Sequence, residues 1–215
     1  MPGPGKRDRY HHGDLRAALI GTAIELIGER GVRGFSLAEA SRRLGVAVSA
    51  PYAHFADRDE LLAAVAVHAY ELFYAEFLTE ANQDTARADR LAAMARGYVR
   101  FAGAHRPLFD VLFRAGLDKD RHPEVKAAEQ PFADAFMDCV RPLSGEAASE
   151  DLAAAVEAAA HGHAMLLLEG DFGQGNEAVE LAAERAARVT LALVESRHLL
   201  TRPSRPSAPQ ATPNA

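Results

Sequence analysis

The chain has 215 residues, a formal net charge of −6 at pH 7, 48% hydrophobic residues and 25% charged residues. This is the composition of an average soluble globular protein that is long enough to bury a core. The single cysteine excludes an intrachain disulfide framework, and we find no apolar run that predicts a membrane span. A reducing compartment, the cytoplasm, is therefore expected.

The charge is unevenly distributed along the chain. Residues 1–65 have a net charge of +1, whereas residues 66–215 have a net charge of −7. A mildly basic head on an acidic body is typical of a modular nucleic-acid binder, although chance also produces such a split.

The first predicted helix covers residues 15–30. Asp14 is expected to cap it, and Gly31 supplies the stop. Its apolar residues recur at spacings of three and four, which is the period of one helix face. These residues are Leu15, Leu19, Ala23, Leu26 and Ile27.

Two short helices are predicted next. Ser36 and Glu39 form a capping box, which starts a helix that runs to about residue 44 and ends at Gly45. A second short helix is predicted from about residue 48 to residue 54 or 55.

The rest of the chain is also predicted to be helical, since strand-type alternation is scarce. Asp57 is the expected cap of a much longer helix, and Pro131 is expected to kink or split a later one. The fold class is therefore all-α. The longer predicted helices cover residues 58–81, 86–104, 107–115, 123–142, 149–169 and 176–200.

Two short helices joined by a glycine turn, placed after a longer helix, form the layout of a helix-turn-helix motif. From Ser36 the chain reads SLAEASRRLGVAVSAPYAHFADRDELLAAV. This segment resembles the DNA-binding domain of the TetR family of bacterial transcriptional regulators. The matching residues are Gly45-Val46, Tyr52-Ala53-His54-Phe55, Arg58 and Leu61-Leu62, within a similarity that covers about residues 12–65.

The resemblance has three departures. Ala47 stands where the family usually has Ser or Thr as the cap of the recognition helix, and Pro51 stands where it usually has Leu. The string HGHAMLLLEG from His161 is similar to one subgroup whose members often have Trp before the His-Gly pair, but this chain contains no Trp.

The family resemblance implies a homodimer that binds a palindromic operator, usually as a repressor, with an activator as the alternative, and that is released by an unknown small-molecule effector. It implies a three-helix DNA-binding head followed by a larger helical effector-binding and dimerisation domain. The expected divisions are a disordered basic arm (1–13), the head (14–57), the ligand and dimer domain (58–200) and a disordered tail (201–215).

Candidate DNA contacts cluster around the second short helix. Phosphates are contacted by hydroxyl, imidazole and guanidinium groups and by amides at helix N-termini, whereas base edges are contacted from the start of the recognition helix. Phe55 is expected in the core; Tyr52 is expected at a phosphate, with core packing as the alternative. The candidates are Val48, Ser49 and Ala50 for bases, Tyr52, His54 and Arg58 for phosphates, Ser36 and Leu37 at the first short helix, and Lys6, Arg7 and Arg9 in the arm, which is otherwise a solvated tail.

Candidate ligand contacts lie in the helical body. A pocket lined mainly by apolar and aromatic side chains, with few polar anchors, is typical of small-molecule sites. The candidates are Phe101, His105, Phe109, Phe113, Phe136, Met137, His161 and Met165, with ordinary core packing as the alternative for each.

Helices 149–169 and 176–200 are expected to pair with their copies as a four-helix bundle, because their faces are small and apolar. The stripe predicted to form this interface is Leu152, Val156, Ala160 and Leu167 with Val179, Leu181, Ala186, Val189, Leu193 and Leu200.

Catalytic and metal chemistry find little support in the sequence. His161 and His163 are two residues apart, so they point to opposite sides of a helix and do not chelate one metal ion together. The sequence contains neither an HExxH motif nor a cysteine pair. We expect no metal, no cofactor and no enzymatic activity. An all-α ligand carrier or enzyme with a vestigial DNA-binding head remains the alternative.

Overall fold

The computed structural model describes residues 12–81 and 86–200. In this part of the chain it contains α-helices and three short 3-10 turns and no strand, which confirms the all-α prediction. Most of the predicted arm and the whole tail, 201–215, lie outside the described residues. The helices are α1 (His12–Arg30), α2 (Leu37–Leu44), α3 (Arg58–Ala81), α4 (Arg87–Ala104), α5 (Arg106–Arg114), α6 (Pro123–Ser144), α7 (Glu146–Glu169) and α8 (Asn176–Glu195).

Side-chain caps start α2 and α3 where the sequence predicts them. The Ser36 hydroxyl accepts a hydrogen bond from the Glu39 amide (3.2 Å), and the Asp57 carboxylate accepts one from the Glu60 amide (2.9 Å). Each cap satisfies an amide that has no partner within its own helix. The capping box predicted for α2 is only half formed, because the Glu39 carboxylate pairs with Arg30 and Arg42 instead of accepting from the Ser36 amide. The two local signals therefore place the helix-turn-helix elements correctly along the chain.

Several features of the helices differ from the predictions, and three of them have a local explanation. Helix α1 begins at His12, so Asp14 lies within its first turn and is not the cap. Helix α6 is not split at Pro131, where the exposed position lets water satisfy the carbonyl that proline leaves without a donor. Helix α8 ends at Glu195 instead of residue 200, and the chain continues as a 3-10 turn over Arg197–Leu199, with the Arg197 guanidinium donating to the Val194 carbonyl (2.7 Å).

The head is a small core between α1, α2 and the first turns of α3. Its buried side chains come from the apolar stripe predicted for α1, from residues around the start of α2, from Phe55 just before α3, and from α3 itself. They include Leu19, Leu26, Ile27, Phe35, Leu37, Phe55, Leu61 and Leu62. These residues belong to the same continuous cluster as the aromatic core of the body, so head and body share one core at α3.

Arg58 attaches the beginning of α3 to the loop between α1 and α2. Its guanidinium donates to the carbonyls of Val32 and Phe35, the latter at 3.3 Å, and lies 4.9 Å from the centre of the Phe35 ring. The Arg58 side chain thereby satisfies two backbone carbonyls of the loop between α1 and α2.

In the body, α3 packs against α4, α5 and α6, and α7 and α8 pack against α4 on its other side and against each other. The contact between α4 and α8 is close at Gly103, where a β-carbon would lie 2.9 Å from Val179 Cγ2. A second close approach joins head and body, since a β-carbon on Gly28 of α1 would lie 3.2 Å from the Cγ atom of Pro107 in α5. The absence of a side chain at these two positions lets the helices meet.

Half of the stripe predicted to form the dimer interface is buried inside the protomer. Leu152, Val156, Ala160 and Ala186 are all buried in the core. Helical periodicity identifies an apolar face but does not say whether the same chain or a second copy covers it, and here the same chain buries half of it, while Leu181 and Val189 stay exposed.

Helix α3 is the one described helix that is long and apolar enough to cross a membrane, which the sequence analysis did not anticipate. However, 56% of this stretch is buried inside the protein, as in the central helix of a soluble core.

We expect Arg58→Ala to lower the free energy of unfolding by about 1–3 kcal/mol, because the two carbonyls lose a charged donor. Urea unfolding followed by circular dichroism measures this change. Arg42→Ala is the matched control, since the Arg42 side chain is 67% exposed and pairs only at the surface with Glu39; it should cost about 0.5 kcal/mol or less. Equal losses in the two variants would contradict the role assigned to Arg58.

Candidate nucleic-acid interface and ligand cavity

Gly45 sets the turn between the two elements of the helix-turn-helix segment. Its φ of 68° lies in the left-handed region that favours glycine. The Gly45 amide donates to the Arg42 carbonyl (3.2 Å), and the Val46 amide donates to the Ser41 carbonyl (3.0 Å). These two bonds satisfy the end of α2 and reverse the chain within a few residues.

The segment after the turn is shorter than predicted. It forms a 3-10 turn over Ala50–Ala53, so the prediction of a helix from residue 48 to residue 54 or 55 is wrong in both type and length. In an α-helix from residue 48, residue 51 would donate to the Ala47 carbonyl, but Pro51 has no N–H. The Ala47 carbonyl accepts instead from the Ala50 amide, at 2.9 Å.

Two buried residues seat this segment on the head, and the opposite side is exposed. Pro51 is buried and Phe55 is 3% exposed, which confirms the predicted core position of Phe55. Val48 and Tyr52 are 53% and 58% exposed, and Ser49 is exposed beside them. Three of the candidate DNA contacts therefore share one free edge, which we call the reading edge: Val48, Ser49 and Tyr52.

The other candidates for DNA contact are placed differently. Ala50 and His54 are half-buried, and His54 lines a groove between α1 and α3. The Ser36 hydroxyl is used as the cap of α2, and the Leu37 side chain is buried, so Leu37 offers only its backbone amide. Lys6, Arg7 and Arg9 lie outside the described residues.

Arg58 is held by the protein itself. Because its guanidinium already donates to two backbone carbonyls, a phosphate contact from Arg58 would require one of these bonds to be exchanged. Its contact with DNA stays a prediction, and its observed role is to join the head to α3.

Three surface arginines of the head, Arg30, Arg42 and Arg43, are paired with carboxylates. Arg43 makes two hydrogen bonds of 2.7 Å to Glu29, and this contact lowers the pKa of the Glu29 carboxyl. Glu39 pairs with both Arg30 (3.2 Å) and Arg42. These carboxylates offset part of the positive charge of the head.

An aromatic cavity of about 250 Å³ opens in the body between α3, α4, α6 and α7. Seven aromatic rings and two methionines line it, together with small apolar residues and two carboxylates. The rings and methionines are Tyr70, Phe73, Phe77, Tyr98, Phe113, Phe132, Phe136, Met94 and Met137, and the carboxylates are Glu129 and Glu157.

Three of the predicted ligand contacts line this cavity: Phe113, Phe136 and Met137. The remaining five do not. Phe101 and Phe109 are fully buried in the core beside it. His161 lies one layer behind the wall, His105 bonds to Glu76 at 2.8 Å, and Met165 packs on the core elsewhere.

The α3 wall of the cavity is a feature that was not predicted from the sequence. Tyr70, Phe73 and Phe77 recur at spacings of three and four, so they share one face of α3. Phe132 of α6 packs against that face, with ring centres 4.7 Å from both Phe73 and Phe77. The spacing was readable in the sequence, but its packing partner on α6 was not.

The polar groups of the cavity are already hydrogen-bonded, with one exception. Tyr70 donates to Glu129 (3.0 Å) and accepts from Lys119 (3.2 Å), while Lys119 also pairs with Glu129 at 2.6 Å. The Tyr98 hydroxyl bonds to Nδ1 of His161 at 2.9 Å. The exception is Glu157, whose carboxylate has no hydrogen bond or ion pair with another described residue.

The pKa values of the two cavity tyrosines, Tyr70 and Tyr98, are both raised by their surroundings. Burial, followed by the negative charge of Glu157, raises the pKa of Tyr98 above its ordinary value. Burial and the neighbouring Glu129 carboxylate raise the pKa of Tyr70 in the same direction. Both phenols are therefore neutral across the physiological range.

A metal centre is not among the features of the described ranges 12–81 and 86–200. No group of three His, Cys, Asp or Glu side chains there comes close enough together to hold a metal ion.

Solved structures with a similar fold include several regulators. A protein of unknown function from Rhodococcus sp. RHA1 is 28% identical, with a TM-score of 0.70 over 86% of this chain and 98% of that one. The TetR family regulator PfmR from Thermus thermophilus is 16% identical, with a TM-score of 0.64 over 81% and 97%. AibR, solved with isovaleryl coenzyme A and operator DNA, is 18% identical, with a TM-score of 0.64 over 81% and 96%.

Family models match both parts of the chain, whereas no curated protein sequence matches it. The model described as bacterial regulatory proteins of the tetR family matches residues 19–65, which include the reading edge. The model described as a tetracyclin repressor-like C-terminal domain matches residues 91–196. Together they cover well over half of the chain, and the chain therefore belongs to the TetR family of bacterial transcriptional regulators.

Proposed function

We propose that this regulator is a repressor that binds a palindromic operator as a homodimer and leaves it when a small molecule enters the aromatic cavity. The observation that supports this most directly is the course of α3. Its first residue, Arg58, holds the head, and Tyr70 on the same helix lines the cavity, about 18 Å further along at 1.5 Å per residue.

The DNA side of the proposal depends on the reading edge. A hydroxyl such as that of Ser49 donates to or accepts from base edges, and an exposed valine such as Val48 suits a thymine methyl. The Tyr52 hydroxyl suits a phosphate oxygen, which fixes register without reading sequence. The mobility of this regulator's own upstream DNA in a gel-shift assay tests operator binding; failure to bind any genomic fragment would favour a ligand carrier or enzyme.

The ligand side depends on a difference in affinity between two states. A ligand shifts DNA binding only if it binds one tilt of α3 more tightly than another, typically by 1–3 kcal/mol. Operator DNA must then weaken ligand binding by the same factor. AibR, whose structure contains both isovaleryl coenzyme A and operator DNA, is a fold relative that binds both kinds of partner.

The dimer is proposed to form through the exposed faces of α7 and α8. On α7, Ala158 and Leu166 are exposed, and a β-carbon on Gly162 would meet no atom within 4 Å. On α8, Leu181 and Val189 are 42% and 38% exposed. Small residues on such a face let a second pair of helices approach closely, and a two-fold dimer sets two reading edges about 34–36 Å apart.

The proposed partners are operator DNA, a second copy of the chain and a small-molecule effector, and the proposed compartment is the cytoplasm, where bacterial DNA is found. The proposal includes no enzymatic activity, no cofactor and no membrane.

We expect Ser49→Ala to change the preferred base at one position of each half-site, with a discrimination of about 1–3 kcal/mol. Tyr52→Phe should instead weaken binding to all sequences alike, because phosphates have no sequence code. Selection of binding sites from a random library, followed by affinity measurements, compares the two variants. If Ser49→Ala lowers the affinity for all sites by the same factor, the assignment of Ser49 to base contact is wrong.

We expect the protein to be a dimer at micromolar concentration, and Leu166→Glu to shift it towards the monomer because the charge would be buried without a partner. Light scattering after gel filtration measures the mass. Val48→Glu is the matched control, since it places the same charge on an exposed apolar site of the head and should leave the dimer intact. A stable wild-type monomer would disprove the interface.

A further inference from the structure

The charged side chains that line the aromatic cavity in the described part of the chain are both acidic. Among the described residues that line it, Glu129 and Glu157 are charged, and none is a lysine, arginine or histidine. The cavity therefore offers negative charge and aromatic faces to whatever enters it.

One of the two carboxylates is already neutralised. Lys119, which lines the neighbouring hollow, places its Nζ atom 2.6 Å from Glu129 Oε2. The same ammonium group donates to Tyr70. Two N–H groups of Lys119 are thus used within the protein, and Lys119 does not line the aromatic cavity.

Glu157 supplies the uncompensated charge. It lies on α7 at the rim of the cavity, exposed, and no described residue pairs with it. A neutral or anionic ligand that covered this carboxylate would remove its water without replacing the lost solvation, which is costly. A cation would compensate it directly.

The aromatic walls favour the same ligand. The faces of phenylalanine and tyrosine rings attract cations, most strongly when water is excluded. Phe73, Phe132 and Tyr98 meet at this wall, with ring centres 4.7 Å apart for the first pair and 5.5 Å for Phe73 and Tyr98. The hydroxyl of Tyr98 is turned to His161, so this wall offers ring surface more than hydrogen bonds.

We infer that the effector class of this site is a small organic cation: an aromatic or branched apolar body with one ammonium or amidinium head, the head beside Glu157 and the body among the rings. The volume of about 250 Å³ suits one ring and a compact head group. This inference rests on the proposed ligand site and adds the chemistry of what occupies it.

Three benzyl compounds of matched shape test the charge directly: benzyltrimethylammonium, its neutral carbon isostere neopentylbenzene, and the anion benzylphosphonate. Dissociation constants of the full chain for each are measured by ligand-detected NMR titration at low salt. We expect the cation to bind about tenfold more tightly than the neutral isostere, and the anion more weakly than either.

Glu157→Gln keeps the shape of the rim and removes its charge, so the cation should lose most of its advantage, to about threefold or less, with the neutral isostere unchanged. Glu150→Gln, an exposed carboxylate two turns earlier on α7 and outside the cavity, is the matched control and should keep the full preference.

Equal affinity for the cation and its isostere, preference for the phosphonate, no binding of any of the three, or an unchanged preference in Glu157→Gln would each overturn the inference. Operator binding is measured separately by gel shift. A protein that binds DNA but does not prefer the cation overturns only this inference, whereas one that prefers the cation but binds no DNA overturns only the proposed regulator.

Discussion

The continuity of α3 is the constraint on which the rest of the structure depends. Because one rigid helix begins inside the head and continues along the cavity, neither part can change its orientation independently at that junction. The Asp57 cap fixes where the helix starts, and the Arg58 guanidinium fixes how its first turn sits against the loop before α2. The aromatic residues further along α3 then occupy positions that the head has already determined.

A second contact limits the motions that remain. Gly28 and Pro107 meet closely where α1 crosses α5, and α5 also supplies Phe113 to the cavity. The head is therefore held at two places, by α3 and by α5, and both helices lead to the same aromatic wall. A molecule that separates the rings of this wall would act on both supports of the head at once.

Features that depend on neighbouring residues were predicted correctly from the sequence, whereas contacts between distant segments were not predicted. Ser36 and Asp57 are caps whose hydrogen bonds close within three residues, so their identity and spacing are sufficient. The cavity depends on Phe132 meeting the α3 face across about 60 residues, and periodicity gives no distance between helices. The same limit explains why Leu152 and Val156 were assigned to a dimer face although the protomer buries them.

The 3-10 turn that Pro51 imposes has a consequence for how much DNA sequence one head can distinguish. With three residues per turn, side chains three positions apart lie directly above one another. Ser49 and Tyr52 therefore lie in one row along the turn, instead of being spread around the circumference of a helix. Under the proposed function, a row one side chain wide spans few base pairs, so a target would be distinguished mainly by the separation and symmetry of its two half-sites.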